Sequence, residues 1–191
     1  IAFKLDTVDP IKPGQLITAI GRPTFYTKRG TLQFQIHAIK PLKVSPLTQA
    51  FEALKAQLNA EGLFDPERKK TIPTYPKCIT LITASPSAAL SDFLNLKCQL
   101  APHLHIQLIP VSVQGAAAPA DIAAACHIAN AHETDLVVVL RGGGSAEDLA
   151  AFNDERVVRA IAQCTAPTMS AIGHDIDVTL ADFVADHRSA T

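Results

Sequence analysis

The 191-residue chain is 48% hydrophobic and 18% charged, ordinary for a protein that buries a core, which excludes intrinsic disorder over most of its length. Seventeen Lys and Arg against eighteen Asp and Glu leave a formal charge of -1, which excludes a uniformly basic nucleic-acid glove. The charge is unevenly spread: residues 1–70 hold eleven basic and six acidic side chains, whereas residues 71–191 hold six and twelve, a basic front on an acidic back. Cys78, Cys98, Cys126 and Cys164 stand twenty or more residues apart with no C-x-x-C pair, and read as reduced core thiols. No apolar run reaches the roughly 18 residues of a membrane span, and no charged, apolar, small-residue leader opens the chain, so a soluble cytoplasmic protein is expected. The start at Ile1 and the stop at Thr191, just after Asp186-His187-Arg188, read as cuts in a longer polypeptide.

From Gln15 to Ile39 the pattern has period two, with Leu32, Phe34, Ile36 and Ala38 alternating with Gln33, Gln35 and His37 as in a half-buried strand, and Leu16 to Ile20 as its partner. The stretch Arg22-Pro23-Thr24-Phe25-Tyr26-Thr27-Lys28-Arg29-Gly30 between them reads as a turn, so a β-hairpin with a basic tip is expected. Two or three strands cannot bury both faces alone, which marks this piece as the remnant of a small β-barrel. Residues 1–44 form this first domain.

Ser45-Pro46 supplies a hydroxyl cap and a first-turn proline, Leu47, Phe51, Leu54 and Leu58 recur at helical spacing, and Gly62 ends the helix. With the Pro- and charge-rich stretch after it, residues 45–76 are expected to be a linker helix and linker. Residues 77–191 then alternate short apolar runs with helical patterns. Strands are expected at Cys78–Thr83, Leu104–Ile109, Leu136–Leu140 and Thr168–Ile172. Helices fall between them, from about Pro86 to Gln99, Ala120 to Ala131 and within Ala146 to Gln163, with a last one from Val178 to Ala185. Alternating β and α with β-branched strands argues an α/β fold, a Rossmann-like parallel sheet covered by helices on both faces, and such sheets bind ligands outside the carboxyl ends of their strands.

Three of those strand ends carry chemistry. Leu136–Leu140 runs into Arg141-Gly142-Gly143-Gly144-Ser145 and then a helix start, so bare amides can converge on an anion while Arg141 offers a bidentate fork. The bland alternative is a flexible turn with Arg141 in a surface ion pair. Strand Thr168–Ile172 leads into Gly173-His174-Asp175-Ile176-Asp177, where His174 is a candidate general base or acid oriented by a carboxylate. Asp177 reads equally as the cap of the helix from Val178, and Asp175 as a solvated turn residue. Strand Cys78–Thr83 ends in Ala84-Ser85-Pro86-Ser87, with Ser85 and Pro86 read as cap and first turn; Asp92 comes later in the helix, where taken alone it reads as an exposed helix charge.

At these residues the chain resembles the large subunit of bacterial exodeoxyribonuclease VII. The resemblance rests on Ala60-Glu61-Gly62-Leu63-Phe64-Asp65, Arg141-Gly142-Gly143-Gly144-Ser145 with Glu147-Asp148-Leu149, Phe152-Asn153-Asp154-Glu155, and Gly173-His174-Asp175 through Leu180-Ala181-Asp182-Phe183-Val184-Ala185-Asp186. It implies a nuclease that degrades single-stranded DNA from either end to short 5′-phosphorylated oligonucleotides, with several copies of a small partner subunit docked on a coiled coil beyond Thr191. It also implies that the first strands are the end of an OB-fold and that the α/β domain is catalytic, with Asp92, Arg141, His174 and Asp177 as catalytic residues. The chain departs from the family's usual pattern at Pro86-Ser87 (usually Thr-Gly), Leu140 (usually Gly) and Asp175 (usually Glu).

On this reading Arg141 and the amides of Gly142, Gly143, Gly144 and Ser145 hold the scissile phosphate, and His174, oriented by Asp177 or Asp92, moves protons. Arg22, Lys28 and Arg29 contact DNA phosphates, with Phe25 or Tyr26 as a stacking face unless both belong to the barrel core. The imidazole and carboxylates suit a divalent ion, but the family's activity characteristically survives chelation, so no obligatory cofactor is expected. The competing readings are a non-catalytic phosphate- or nucleotide-binding α/β module and a metal-dependent phosphoesterase. The first is weakened because the glycines come after the third strand, not the first as in a dinucleotide fold.

Overall fold

The computed structural model describes residues 17–27, 30–41, 46–142, 149–173 and 178–189. The chain divides into two units, Ile1–Ala50 and Phe51–Thr191.

In the first unit, β1 (Ile17–Tyr26) pairs antiparallel with β2 (Thr31–Pro41), from Ile17 opposite Pro41 to Tyr26 opposite Thr31. The strand takes up Arg22 to Tyr26, which turn chemistry assigns to the loop. Thr24, Phe25 and Tyr26 favour extended backbone, and Pro23, lacking an N–H, is tolerated because each strand of a two-stranded ribbon is an edge. The register shifts by one residue between Ile20 and Gly21, where a Cβ on Gly21 would lie 2.3 Å from the Gln35 carbonyl oxygen. Only glycine allows that approach. Beyond the shift, Pro23 and Phe25 stand opposite Phe34 and Leu32, while Arg22, Thr24 and Tyr26 share the other face with Gln35, Gln33 and Thr31. Phe25, Leu32 and Phe34 are 63%, 77% and 56% exposed within this chain, an apolar face that two strands cannot cover. The two aromatics therefore part company: Phe25 lies on the apolar side, and Tyr26 shares its face with Arg22.

The second unit is built on a five-stranded sheet, every neighbouring pair parallel. Its strands are β3 (Cys78–Thr83), β4 (His105–Pro110), β5 (Leu136–Arg141), β6 (Thr168–Ile172) and β7 (His187–Arg188), in the spatial order β4-β3-β5-β6-β7. Period-two alternation divides the side chains between two faces. Ile82, Val137, Val139 and Ile172 pack against α3 (Ala118–Asn130) and α4 (Glu155–Ala162) through Ile122, Cys126, Val157 and Val158. Ile79, Leu81, Leu136 and Val138 meet Leu90 and Phe93 of α2 (Ala88–Leu100) on the other face. The expected doubly covered parallel sheet is thus present.

Local departures from the sequence reading have local causes. Helix α2 starts at Ala88, two residues later than the Ser85-Pro86 cap suggests, because Ser87 accepts the Leu90 N–H at 3.1 Å and so caps it. Cys126 and Cys164 are buried as expected of core thiols, but Cys98 is exposed and Cys78 half-buried, since Cys98 falls on the solvent side of α2. The charged end Asp186–Arg188 carries β7, a two-residue edge strand too short to leave a periodic signal; Ser189 N–H donates to the Ser170 carbonyl at 2.7 Å.

Helix α1 (Pro46–Ala60) carries Leu58, fully buried in the α/β core, with Phe51 and Leu54 packed beside it. Its end is made by Gly62 at φ +75°, with Leu63 N–H bonded to the Leu58 carbonyl at 3.1 Å. Residues 63–70 continue on the same unit: Phe64 packs on Phe183 with ring centroids 5.5 Å apart, and Lys69 Nζ donates to the carbonyls of Phe183 and Ala185 at 2.6 and 2.7 Å.

Candidate active site

At the amino ends of the strands, polar side chains satisfy backbone: Asp135 accepts from Lys77 and Cys78 N–H at 2.7 and 2.9 Å, and these bonds hold its carboxyl below its ordinary range. The carboxyl ends are different. Strand β3 leads through α2 to β4 on one side, whereas β5 leads through α4 to β6 on the other, so the connections diverge and leave a crevice between β3 and β5. This is the topological switch point at which doubly wound sheets receive ligands.

Arg141, the last residue of β5, stands opposite Ile172 of β6, and Gly173 N–H approaches the Arg141 carbonyl at 3.4 Å. The two chemistry-bearing strand ends are therefore adjacent. Gly142 sits beside α2, since a Cβ on it would be 3.5 Å from that of Ala89. Asp92 lies three residues after Ala89 on the same side of the helix, one turn along from the glycine, and is exposed. Arg141 is 6% exposed and alternates with Val137 and Val139 toward the α3/α4 face, while α2 covers the opposite face. The rim thus joins Arg141, Gly142, Gly173 and the α2 turn that carries Asp92. Gly143, Gly144, Ser145, His174, Asp175 and Asp177 lie outside the described residues, as do Lys28 and Arg29 of the hairpin.

Beyond Gly173 the chain is anchored by residues that sequence reasoning used only as signs of resemblance. Helix α5 (Leu180–Val184) begins at Thr179, whose N–H and Oγ1 donate to the Asp182 carboxylate at 2.7 and 2.9 Å. The cap of α5 is therefore Thr179 and not Asp177, which removes the capping role considered for Asp177. Asp182 also accepts from Ser170 Oγ at 2.5 Å, tying α5 to β6. Asn153 Oδ1 accepts the Leu180 N–H at 2.8 Å, and Asp186 accepts from Thr168 N–H and Oγ1 and from Lys70 N–H. The segment from Gly173 to Thr179 is held at both ends, by β6 and by this buried network. A signal is present for Asp182, a carboxylate set among Leu180, Ala181, Phe183 and Val184. Asp182 pairs locally with Thr179, three residues before it, but its bond to Ser170 spans 12 residues, and the partners of Asp186 and Asn153 lie at least 18 and 27 residues away, beyond the reach of local pattern.

The network gives an expected result. Asp182→Ala strips Ser170 and Thr179 of a charged acceptor and lowers the unfolding free energy of the α/β unit by about 3 kcal/mol, read as a drop in the urea midpoint at unchanged slope. A shift under about 0.5 kcal/mol, the scale of an ordinary surface substitution, would contradict the anchoring role.

Two further motif residues are structural. Glu61 accepts from Arg159 Nη1 and Nη2 at 2.7 and 3.0 Å, and Arg159 also bonds Glu155, fastening α1 to α4 on the surface. The paired guanidinium holds the Glu61 carboxyl below its ordinary value. Asp154 caps α4 through Arg156 N–H at 2.9 Å and is lowered chiefly by the Arg156 side chain.

A doubly wound α/β domain with a buried arginine and Gly142 at its switch point has the architecture of the folds that receive ligands at the sheet's carboxyl rim. The chain belongs to the exonuclease VII large-subunit family. The family model described as "Exonuclease VII, large subunit" matches residues 63–191. Proteins named "Exodeoxyribonuclease 7 large subunit" are similar to it. That of Neisseria meningitidis serogroup A is 45% identical over 183 residues, covering 95% of this chain and 41% of the relative. That of Proteus mirabilis is 48% identical over 179 residues, 93% and 39%, and that of Lachnoclostridium phytofermentans 41% identical over 181 residues, 95% and 45%. The chain spans about two fifths of the length of the first of these relatives.

Proposed function

We propose that the intact protein is an exonuclease that hydrolyses single-stranded DNA from both ends to 5′-phosphorylated oligonucleotides, and that this chain supplies its catalytic domain. The observation that carries the reading is the adjacency of the β5 and β6 ends at the switch point, with Gly173 N–H 3.4 Å from the Arg141 carbonyl, in a chain of this family. A 5′-phosphate product requires water to add to phosphorus while the bond to the 3′ oxygen breaks. A base takes the water's proton, and an acid returns one to the departing 3′ oxygen. In this reading Arg141 and the amides of Gly142 to Ser145 neutralise charge building on the non-bridging oxygens, and His174, oriented by Asp177 or Asp92, handles a proton. No obligatory metal takes part. Labelled single- and double-stranded DNA, with and without chelator, test this on the intact enzyme: single strands are expected to be cut in both conditions. Loss of cutting in chelator with rescue by magnesium would contradict it.

The reading extends to the rest of the protein. The hairpin is the end of an OB-fold whose other strands cover the apolar face of Phe25, Leu32 and Phe34, leaving the face of Arg22 and Tyr26 for DNA. The small partner subunit docks on a coiled coil outside this chain. Among the described residues no helix is long and apolar enough to cross a membrane, and all four cysteines are free thiols, which agrees with the cytoplasm as the compartment. Arg22 is exposed on β1. Replacing it with Ala is expected to weaken single-strand binding for all sequences alike and to flatten the slope of log affinity against log salt by roughly 0.7. An unchanged slope would remove Arg22 from the interface.

A further inference from the structure

A cavity of about 540 Å³ opens beside the switch point, lined among others by Ser85, Pro86, Pro110, Ser112, Asp121 and Ile128. It lies at the carboxyl ends of β3 and β4 under the exposed edge of α3, and shares the β3–α2 loop with the crevice. Its chemistry is not that of a phosphate site: no Lys, Arg or His lines it, and the one charged group, Asp121, would repel a phosphate. Two prolines and Ile128 supply flat apolar walls, two serines supply hydroxyls, and Asp121 supplies an acceptor. Among the described residues the Asp121 carboxylate makes no hydrogen bond or ion pair. Apolar walls plus a carboxylate acceptor suit a planar ring with N–H donors along one edge, which is how unstacked bases are held. Arg141 alternates toward the same face of the sheet, that of α3 and α4.

We infer that this cavity is a nucleobase subsite, occupied by the base next to the phosphate at Arg141 and favouring one that presents two neighbouring N–H donors to Asp121, guanine before the others. The inference rests on the nuclease reading above and adds the group that fixes which phosphate is cut.

The test uses the full-length large subunit assembled with its small partner, as wild type, Asp121→Asn and Ala124→Trp; Ala124 is an exposed cavity-lining residue of α3, so the indole fills space without disturbing the core. Each digests a random single-stranded library whose product ends are sequenced, and each is dialysed against deoxyguanosine 5′-monophosphate. Wild type is expected to enrich guanine at one position flanking the cut, and Asp121→Asn, which is isosteric, to abolish the enrichment. Loss of the charged acceptor or of the space is expected to raise KM about tenfold with kcat within threefold. Wild-type end profiles and KM in both variants would overturn the inference while leaving the nuclease reading intact. If the wild type cuts no single-stranded DNA, that reading falls and the dialysis decides: binding lost in Ala124→Trp supports a nucleotide cavity, and equal binding or none in all three overturns it.

Discussion

Replacing His174 with alanine in the intact enzyme is expected to abolish cleavage, lowering kcat by about 10²–10⁴-fold, the usual worth of a positioned general acid or base. Single-strand affinity is expected to stay within about threefold, because phosphate contacts along the strand supply most of that affinity. His174 directly succeeds Gly173, whose φ of +68° is a left-handed conformation natural to glycine, so the chain turns out of β6 just where the imidazole is introduced. The β6 ladder and the Asp182 network that holds the far end of the segment are built by other residues. The thermal midpoint is therefore expected to be unchanged, and a loss of activity with an unchanged midpoint is what separates a chemical role from a structural one. Wild-type turnover in the variant would remove His174 from the mechanism.

Arg141→Lys is expected to cost about 10²–10³ in kcat, the scale seen when one preorganised donor to a developing oxyanion is removed. Lysine keeps the charge but loses the planar fork that meets two phosphate oxygens at once. The effect is large because Arg141 is 6% exposed: removed from bulk water, its attraction to a phosphate is screened less than that of a surface arginine. KM is expected to move less than kcat if the fork grips the transition state more tightly than the ground state. Equal kcat in the variant would mean that Arg141 only completes the fold at the end of β5.

The sheet was legible because its strands are short β-branched runs separated by helical patterns; Cys78–Thr83 and Thr168–Ile172 occur at the bounds that periodicity predicts. The hairpin loop was overestimated because Arg22 and Pro23 look like turn residues, while the backbone pairing that makes them strand is non-local. The start of α2 was misplaced by two residues because Ser85-Pro86 and Ser87 offer competing caps, and only the bond from Leu90 N–H decides between them. Arg141 and Gly142 stand out as a candidate site from local chemistry alone. That Gly142 meets Ala89, on the helix that carries Asp92, depends on the order of strands, which no local pattern encodes. The roles of Asp186 and Asn153, and the bond of Asp182 to Ser170, escape for the same reason: each joins residues of different elements.

The most direct measurement is a crystal structure of the intact enzyme, inactivated by His174→Ala, with a single-stranded oligonucleotide bound. The expected result is one phosphate held by the Arg141 guanidinium and by amides between Gly142 and Ser145, with the Cβ of residue 174 and the carboxylate of Asp177 or Asp92 facing its 3′ oxygen or the opposite side. A strand whose phosphates all pass the β3–β5 crevice without touching Arg141 would contradict the account.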